Sequence, residues 1–320
     1  MEYFWANNTK SLIDELKEEI GIENLTYLKE KKPSIHLAYS ARQWIFLIIS
    51  LYFLLKTKNI FIILFFSSFS GLTIFNFLTL LHEALHNLIF KKNKPFLNNL
   101  FMILYSLPTT ISPTQFTKWH LDHHSQLGSD VEDPKRDKLA PKKNSRVLKL
   151  LYFTPALFFI YFNAQKKENK KYPIKVQKKI KIERSLFISI HLLINILIFY
   201  KGGLFLWFKV YFLPLFIFFP LFFGLNRMGQ HYARSSNEPI GWTTFIPGSF
   251  FWDFLFLKSN YHLEHHLFPM VPFYNLPKLQ RFLLPSYKKR GIIPYNFIEL
   301  FYLFIFKNKM VYTIWNKNVI

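Results

Sequence analysis

Long apolar blocks alternate with basic segments along the chain, and the first two blocks lie close together. Residues 36–55 and 60–81 are almost entirely apolar, and only the four polar residues 56–59 separate them. The second block is 22 residues long, and about 20 residues at about 1.5 Å each cross a hydrocarbon core of about 30 Å. The two blocks therefore predict a helical hairpin that spans a membrane.

A second hairpin is predicted beyond the middle of the chain. Its apolar blocks are residues 185–200 and 204–225, and the turn between them reads Lys-Gly-Gly at 201–203. Pro214 and Pro220 are expected to kink the second helix of this hairpin, because proline removes a backbone donor and neighbouring membrane helices tolerate the break.

The other segments are more polar and complete the predicted domain organisation. Residues 1–35 predict a short amphipathic helix and a polar linker rather than a signal peptide, because they are acidic in the middle and have no apolar run. Two short apolar stretches in the basic loop 91–184, at 96–107 and 148–162, are expected to lie in the membrane interface. The predicted fold is all-α, with a cytoplasmic segment 1–35, a membrane domain 36–225 containing hairpins at 36–90 and 185–225, and a helical cytoplasmic cap at 226–320.

The distribution of cations predicts the orientation. The chain has 41 Lys and Arg against 19 Asp and Glu, a formal net charge of +22. Segments 1–43, 91–184 and 226–320 hold 37 of these cations, and the two hairpin turns hold three. The positive-inside rule thus places both termini and the large loop in the cytoplasm, with four spans. Nucleic-acid binding is disfavoured because the cations have no compact basic domain, whereas basic segments beside a bilayer are attracted to anionic head groups.

The chain has no cysteine but 11 histidines. Disulfides, thiolate zinc sites, iron–sulfur clusters and cysteine nucleophiles are therefore excluded, and any metal must be held by nitrogen and oxygen. Nine histidines fall into tight clusters at helical spacings, and residues at i, i+3 and i+4 share a helix face. The clustered histidines are His82, His86, His120, His123, His124, His231, His262, His265 and His266. His36 and His191 stand alone in or beside apolar spans and are expected to be structural.

Nine imidazoles are too many for one zinc ion and suit two ions with four or five ligands each, although imidazole alone leaves iron, copper and zinc open. All the clusters can converge at the cytoplasmic face. A metal transporter, the alternative from a different functional class, is expected to carry its ionisable residues near the bilayer midplane instead.

These motifs resemble those of the membrane fatty acid desaturase family. The resemblance is carried by H-x-x-x-H at 82–86 and H-x-x-H-H at 120–124 and 262–266, by Glu-Asp-Pro at 132–134, and by the continuation of the third box to residue 279. It covers residues 60–279 and implies a di-iron centre held by the nine histidines. Related hydroxylases and carotenoid ketolases share these boxes, so a lipid or carotenoid hydroxylase or ketolase is the alternative.

Polar neighbours of the boxes are candidates for the metal surroundings. In parts of the family an Asn four residues before the lone histidine completes the metal shell, but position 227 is Arg here, and Asn226 lies five residues before His231. A helical bulge before Gly229 would restore the alignment; otherwise Gln230 or a water takes that role. The carboxylates expected to orient metal-bound imidazoles are Glu83, Asp122, Asp133 and Glu264.

The resemblance also implies a reaction and its partners. Removing hydrogen from an unactivated fatty chain needs a metal and dioxygen, because side chains cannot supply the oxidant. The implied enzyme introduces a double bond into an acyl lipid, uses two iron ions and dioxygen, and has no haem or flavin of its own. Its electrons are expected from a separate donor of ferredoxin or cytochrome b5 type. A multi-pass protein of the bacterial inner membrane is expected, with the endoplasmic reticulum as the alternative, while the acyl carrier (coenzyme A, acyl carrier protein or lipid) and the oxidised bond stay open.

Overall fold

The computed structural model describes residues 3–129, 131–141, 143–232 and 238–310. Within these residues the chain is helical, and the only extended pairing is a single bridge between Phe245 and Pro294. The α-helices are α1 (Phe4–Ile20), α2 (Ile22–Leu28), α3 (Pro33–Lys56), α4 (Ile60–Leu85), α5 (Pro95–Ser106), α6 (Pro113–Gln126), α7 (Pro134–Leu139), α8 (Arg146–Leu150), α9 (Ala156–Asn169), α10 (Ile174–Trp207), α11 (Phe219–His231), α12 (Phe250–Leu255), α13 (His262–Leu267), α14 (Leu276–Lys289) and α15 (Phe297–Phe301). Phe208–Phe218 and Tyr302–Phe306 are π-helices, and Leu107–Thr109, Leu151–Phe153, Pro239–Trp242 and Phe273–Asn275 are 3₁₀ turns. The all-α prediction is confirmed.

The chain forms two compact units. The hairpin unit comprises residues 32–118 and 151–224, and the terminal unit comprises the described residues of 1–31, 119–150 and 225–320. Each unit therefore combines segments that are distant in sequence, and the division into segments 1–35, 36–225 and 226–320 stays a prediction.

The first hairpin of the hairpin unit is formed by α3 and α4. The ring of Trp44 lies 4.5 Å from that of Phe77, and Phe53 stacks on Phe66 at 4.4 Å, so the two helices run antiparallel. Asn59 caps α4 by accepting from the backbone of the first turn, which is why the chain restarts as a helix after only three residues. Because α4 continues to Leu85, His82 lies inside the helix rather than after the predicted end at residue 81.

The chain reverses direction within α10. Gly202 and Gly203 have non-helical dihedral angles, and Gly203 adopts a positive φ of 63° that favours glycine. Twenty residues of straight helix span about 30 Å, yet Nδ1 of His191 lies 2.7 Å from the hydroxyl of Tyr211. The Lys-Gly-Gly turn predicted at 201–203 therefore coincides with a real reversal.

Two details of this second hairpin differ from the prediction. Its first helix begins at Ile174, eleven residues before the predicted start at 185, because a basic first turn is compatible with a helix that becomes apolar later. Around Pro214 the chain widens into a π-helix, since proline cannot donate the normal helical hydrogen bond. Pro220 instead lies in the first turn of α11, where proline is tolerated.

Three helical stretches are long and apolar enough to cross a membrane. They are Ile22–Lys56, Ile60–Leu85 and Ile174–His231. A fourth candidate consists of Arg146–Phe153 and Ala156–Asn169, which meet at 95° as a broken span or re-entrant segment. This pair contains the apolar stretch 148–162, for which an interfacial position was expected.

The terminal unit is built around α1 and α14. α1 buries Leu12, Leu16 and Ile20, which are spaced four residues apart and lie on one face, so the predicted amphipathic helix is confirmed. Its acidic side chains Glu15 and Glu19 bond to Arg290 and Ser286 at the end of α14. The expected polar linker is shorter than predicted, because α2 follows α1 directly and α3 already begins at Pro33.

Candidate metal centre

Four buried histidines of the terminal unit converge on one point. His123 comes from α6, His231 is the last residue of α11, and His262 and His266 lie one helical turn apart on α13. Their exposed fractions are 1–5%. The Nε2 atom of His231 lies 3.1 Å from that of His123 and 3.0 Å from that of His262, and the Nε2 atoms of His262 and His266 are 3.1 Å apart. We call these residues the four-histidine set.

The hydrogen bonds of Nδ1 in His123 and His231 determine which nitrogen of each ring carries the proton. Nδ1 of His123 lies 2.8 Å from Oδ1 of Asp133, and Nδ1 of His231 lies 3.3 Å from the carbonyl oxygen of Trp242. Oδ1 of Asp133 also accepts from the backbone N–H of Lys135, and a carbonyl oxygen can only accept. The Asp133 oxygen and the Trp242 oxygen therefore both act as acceptors. Each Nδ1 therefore donates, and each neutral ring presents a lone pair on Nε2. Two lone pairs that face each other across 3.1 Å repel unless a cation lies between them.

The spacing of the nitrogens fits one metal ion. With a metal–nitrogen bond of about 2.1 Å, ligand atoms about 3.1 Å apart subtend about 95° at the metal. A tetrahedral angle would need about 3.4 Å. The four-histidine set thus suits adjacent positions of an octahedral or five-coordinate ion, and it is compatible with iron.

Burial disfavours the charged form of two of these imidazoles. It lowers the pKa of His262 and His266 well below the usual value, and repulsion from the neighbouring imidazoles lowers it further. Neutral imidazole is the form that binds a metal.

A second histidine group lies beside the first in the terminal unit. The Nε2 atoms of His265 and His124 are 2.9 Å apart, and the ring of His120 lies 4.4 Å from that of His124. The ligand nitrogens of these three residues lie within 4.8 Å of one another. We call them the three-histidine set, and three ligands leave room for more around one ion.

Helix geometry explains how each H-x-x-H-H box supplies both sets. Successive helical residues are rotated by about 100°, so positions i+3 and i+4 lie on either side of position i within one broad face and point about 100° apart from each other. The second box gives His120 and His124 to the three-histidine set and His123 to the four-histidine set. The third box does the reverse, since His262 and His266 join the four-histidine set and His265 joins the other.

His82 and His86 lie in the hairpin unit at the end of α4. Their ring centroids are 5.0 Å apart, so both face the same side of the chain. Buried Glu83 has a carboxylate oxygen 3.5 Å from Nδ1 of His82, and its role in orienting that ring stays a prediction. The amide of Asn98 on α5 donates to the carbonyl of Ala84 at 2.8 Å and fixes this last turn.

The other predicted carboxylates have different surroundings. Burial raises the pKa of Asp133, and the neighbouring ammonium group of Lys135 opposes that rise. Glu264, although inside the third box, accepts hydrogen bonds from Gln280 at 2.9 Å and Tyr287 at 3.1 Å on α14. Burial raises the pKa of Glu264 to about 7. Glu264 therefore ties α13 to α14, whereas Asp122 is half-buried on α6 between two ligand candidates and its role stays a prediction.

The two predicted amides near His231 bond to each other. Nε2 of Gln230 donates to Oδ1 of Asn226 at 3.0 Å, and the amide of Asn226 donates to the hydroxyl of Ser259 at 2.8 Å. Asn226 thereby anchors the turn just before the third box. The bulge considered before Gly229 is not where the wide turns occur, because the π-helix lies upstream at Phe208–Phe218.

The two isolated histidines bond outside both sets. Nε2 of His36 lies 3.0 Å from the hydroxyl of Tyr105, and His191 bonds to Tyr211 and to the carbonyl of Leu107. These contacts agree with the expected structural role. Sequence patterns gave no signal for Gln280, Tyr287 and Trp242, because their contacts to the box region come from residues far away in sequence.

Comparison with known proteins identifies what the chain resembles. A sequence profile of the fatty acid desaturase family matches residues 59–297. The sphingolipid delta(4)-desaturase/C4-monooxygenase DES2 of Bos taurus is 26% identical over 246 residues, covering 72% of this chain and 68% of its own. The human protein of the same name is equally similar, and the sphingolipid delta(4)-desaturase DES1 of Drosophila melanogaster is 26% identical over 229 residues, covering 67% of this chain and 63% of its own.

Proposed function

The chain belongs to the fatty acid desaturase family and is an oxidoreductase, and from that premise we propose that it is a membrane-bound, dioxygen-dependent di-iron lipid desaturase. The observation that carries the proposal is the four-histidine set, whose Nε2 atoms lie 3.0–3.1 Å from one another along the series His123, His231, His262 and His266 in a buried position. The lone pairs of His123 and His231 repel each other unless a cation lies between them, and the family profile covers every residue of the set.

We propose that the two histidine sets hold one iron each. The four-histidine set supplies a complete group of ligands for the first. For the second, His82 and His86 complete the three-histidine set to five imidazoles, as the family resemblance implies, and Glu83 orients His82. Asn226 and Gln230 support the turn before the third box rather than contributing a ligand.

The chemistry supplied by iron and dioxygen is the abstraction of two hydrogens from adjacent methylenes, in which dioxygen takes up these hydrogens with two further electrons and two protons to form two waters. The protein's own part is to bind, orient and exclude water. Asp133 holds the tautomer of His123, and the carbonyl of Trp242 does the same for His231. The burial of the four-histidine set keeps bulk water away from the reacting centre.

The substrate is a lipid, and the names of the relatives indicate which lipids to test first. DES2 is named for a sphingolipid and for two outcomes, desaturation and C4 monooxygenation. We propose a sphingolipid or another acyl lipid as the substrate, with desaturation as the main reaction. Hydroxylation by the same centre is the second candidate, and it rests on these names.

The electrons are proposed to come from a separate acidic donor of ferredoxin or cytochrome b5 type. Eight lysines between residues 166 and 181, at the end of α9 and the start of α10, have exposed side chains. Such a basic surface increases the rate of association with an acidic protein.

For the membrane arrangement we propose four spans with both termini in the cytoplasm, in a bacterial inner membrane. The reversal at Gly202–Gly203 divides the stretch Ile174–His231 into two limbs, which with α3 and α4 make four. Because the chain has no cysteine, a maleimide can label only the single cysteine that a variant introduces, and the labelling shows on which side of the membrane that residue lies. Lys201→Cys should react with a membrane-impermeant maleimide from outside intact cells, and Lys170→Cys only after permeabilisation. The reverse pattern would contradict this topology.

The function is tested with purified protein reconstituted in lipid, supplied with a chemical or protein reductant and ¹⁸O-labelled dioxygen. Mass spectrometry then separates the candidates, since desaturation removes two hydrogens and leaves the label in water, whereas hydroxylation adds one labelled oxygen. Offering a sphingolipid, a phospholipid and an acyl-coenzyme A in parallel identifies the carrier, and His265→Ala is the inactive control. A preparation that retains metal and consumes no oxygen with any lipid would support a non-redox metal-binding protein instead.

A further inference from the structure

Two aromatic residues at the start of α1 lie against the four-histidine set. The ring of Trp5 meets that of His266 edge-on, with centroids 6.2 Å apart and planes at 61°. Trp5 also lies 6.0 Å from Trp242, and Phe4 stacks on Trp242 at 5.7 Å. All of these residues belong to the terminal unit. The N-terminal helix thus reaches the metal ligands through its first turn.

Trp242 links this aromatic pair to a second ligand. Its carbonyl oxygen accepts from Nδ1 of His231, and its ring packs directly on the backbone at Gly128, just after α6. A β-carbon at Gly128 would lie 2.1 Å from the Trp242 ring, so only glycine allows this approach. Phe4, Trp5 and Trp242 therefore form one aromatic layer beside His231 and His266, which we call the aromatic cover.

The position of Trp5 on α1 separates it from the part of the helix that anchors α1. The anchoring residues Leu12, Leu16 and Ile20 are buried further along, and the polar bonds to α14 start at Glu15. Trp5 precedes them and is only half-buried, with its ring against His266 and Trp242. Its removal should leave α1 in place.

His266 differs from His123 and His231 in the surroundings of its Nδ1 atom. Metal-bound imidazoles usually donate their second nitrogen to an oxygen, as His123 and His231 do here. Among the described residues, the buried Nδ1 of His266 has no hydrogen-bond partner. The ring of His266 packs on other imidazoles, such as that of His124 at 4.2 Å, and the Trp5 ring adds an apolar contact that helps to orient this imidazole and to exclude water from it.

We propose that Trp5 is a positioning residue that seals the four-histidine set, orienting His266 and slowing exchange of the metal bound there. The inference rests on the proposed function only in that a metal occupies this set. The apolar surroundings of a metal site control solvent access and thereby the behaviour of the ion.

The test measures metal release from purified holoprotein in detergent or lipid. Trp5→Ala should release one of the two metal ions to a chelator about 10 to 100 times faster than the unchanged protein, as is typical when support for a metal ligand is lost. The other ion should leave at the original rate. Trp5→Phe, which keeps an aromatic ring, should restore slow release. Tyr3→Ala is the matched control, because Tyr3 is an aromatic neighbour that is 60% exposed.

Unchanged release from Trp5→Ala would overturn the proposal, and so would equal acceleration in Tyr3→Ala. If Trp5→Ala does not fold, the comparison of Trp5→Leu with Trp5→Phe decides, since equal rates in the two would show that aromatic contact is irrelevant. The assay needs no activity. If the unchanged protein carries zinc, the proposed oxidation fails, but the same release measurement still tests the cover.

Discussion

The carboxylate of Asp133 is the contact on which the orientation of a metal ligand depends most directly. It is 1% exposed, and its Oδ1 accepts from Nδ1 of His123 at 2.8 Å and from the backbone of Lys135 at 3.0 Å. Asp133 therefore has two functions, since it holds the imidazole and caps α7. Asp133→Asn separates them, because the amide keeps an acceptor oxygen and loses only the charge.

The size of the effect follows from the chemistry of the hydrogen bond. A hydrogen bond to a charged partner contributes about 1.5–3 kcal/mol and a neutral one about 1 kcal/mol, so Asp133→Asn should cost about 0.5–2 kcal/mol of metal binding. At about 1.4 kcal/mol per factor of ten, this is about 2 to 30 times weaker binding. Asp133→Ala should cost more, because it also leaves the buried N–H of His123 unpaired, at about 1–3 kcal/mol, and removes the helix cap, at about 1 kcal/mol.

The assay is competition for metal between the protein and a chelator of known affinity, together with thermal unfolding of the metal-free protein. Asp133→Asn should weaken metal binding and leave unfolding of the metal-free protein nearly unchanged. Asp14→Asn is the control, since Asp14 forms an exposed pair with Lys17 on α1. Normal metal affinity in Asp133→Asn, with Asp133→Ala affected only in unfolding, would refute the role in orienting His123 and leave Asp133 as a helix cap.

Three further predictions test other parts of the site. His265→Ala should lose activity and metal while His191→Ala retains both, as measured by metal analysis and lipid products; equal losses would show that the division between clustered and isolated histidines is wrong. Chelation of the metal should speed amide exchange in α13 more than in α4, because ligands from three helices meet at the four-histidine set; unchanged exchange in verified metal-free protein would show that packing alone holds α13. Tyr287→Phe should lower the unfolding free energy by about 1–3 kcal/mol, because it removes one of two donors to buried Glu264, and it should leave metal content unchanged; no shift in thermal unfolding would contradict that support.

The helices that are visible in the sequence are those whose signal is local. Apolar blocks of 20 and 22 residues between polar segments predicted α3 and α4, and two consecutive glycines predicted the reversal at 202–203. The start of α10 at Ile174 was missed because its first turns are basic and amphipathic rather than apolar. The division into two units could not be predicted, since it depends on which distant segments pack together.

The histidines of the site were visible for the same reason, because each box places its imidazoles by helical spacing alone. The residues that contact these histidines and their boxes were not visible in the sequence. Glu264 lies within a box but bonds to Tyr287, 23 residues later, and Trp5 meets His266 across more than 250 residues. Contacts of this kind are created by tertiary packing and have no periodic signature in the sequence.

The most direct test of the di-iron proposal is the metal content of protein whose lipid-oxidising activity has been measured on the same preparation. The two proposed iron sites predict about two iron ions per chain, with activity that falls in proportion as iron is removed. An active preparation that contains stoichiometric zinc and no iron would contradict the account.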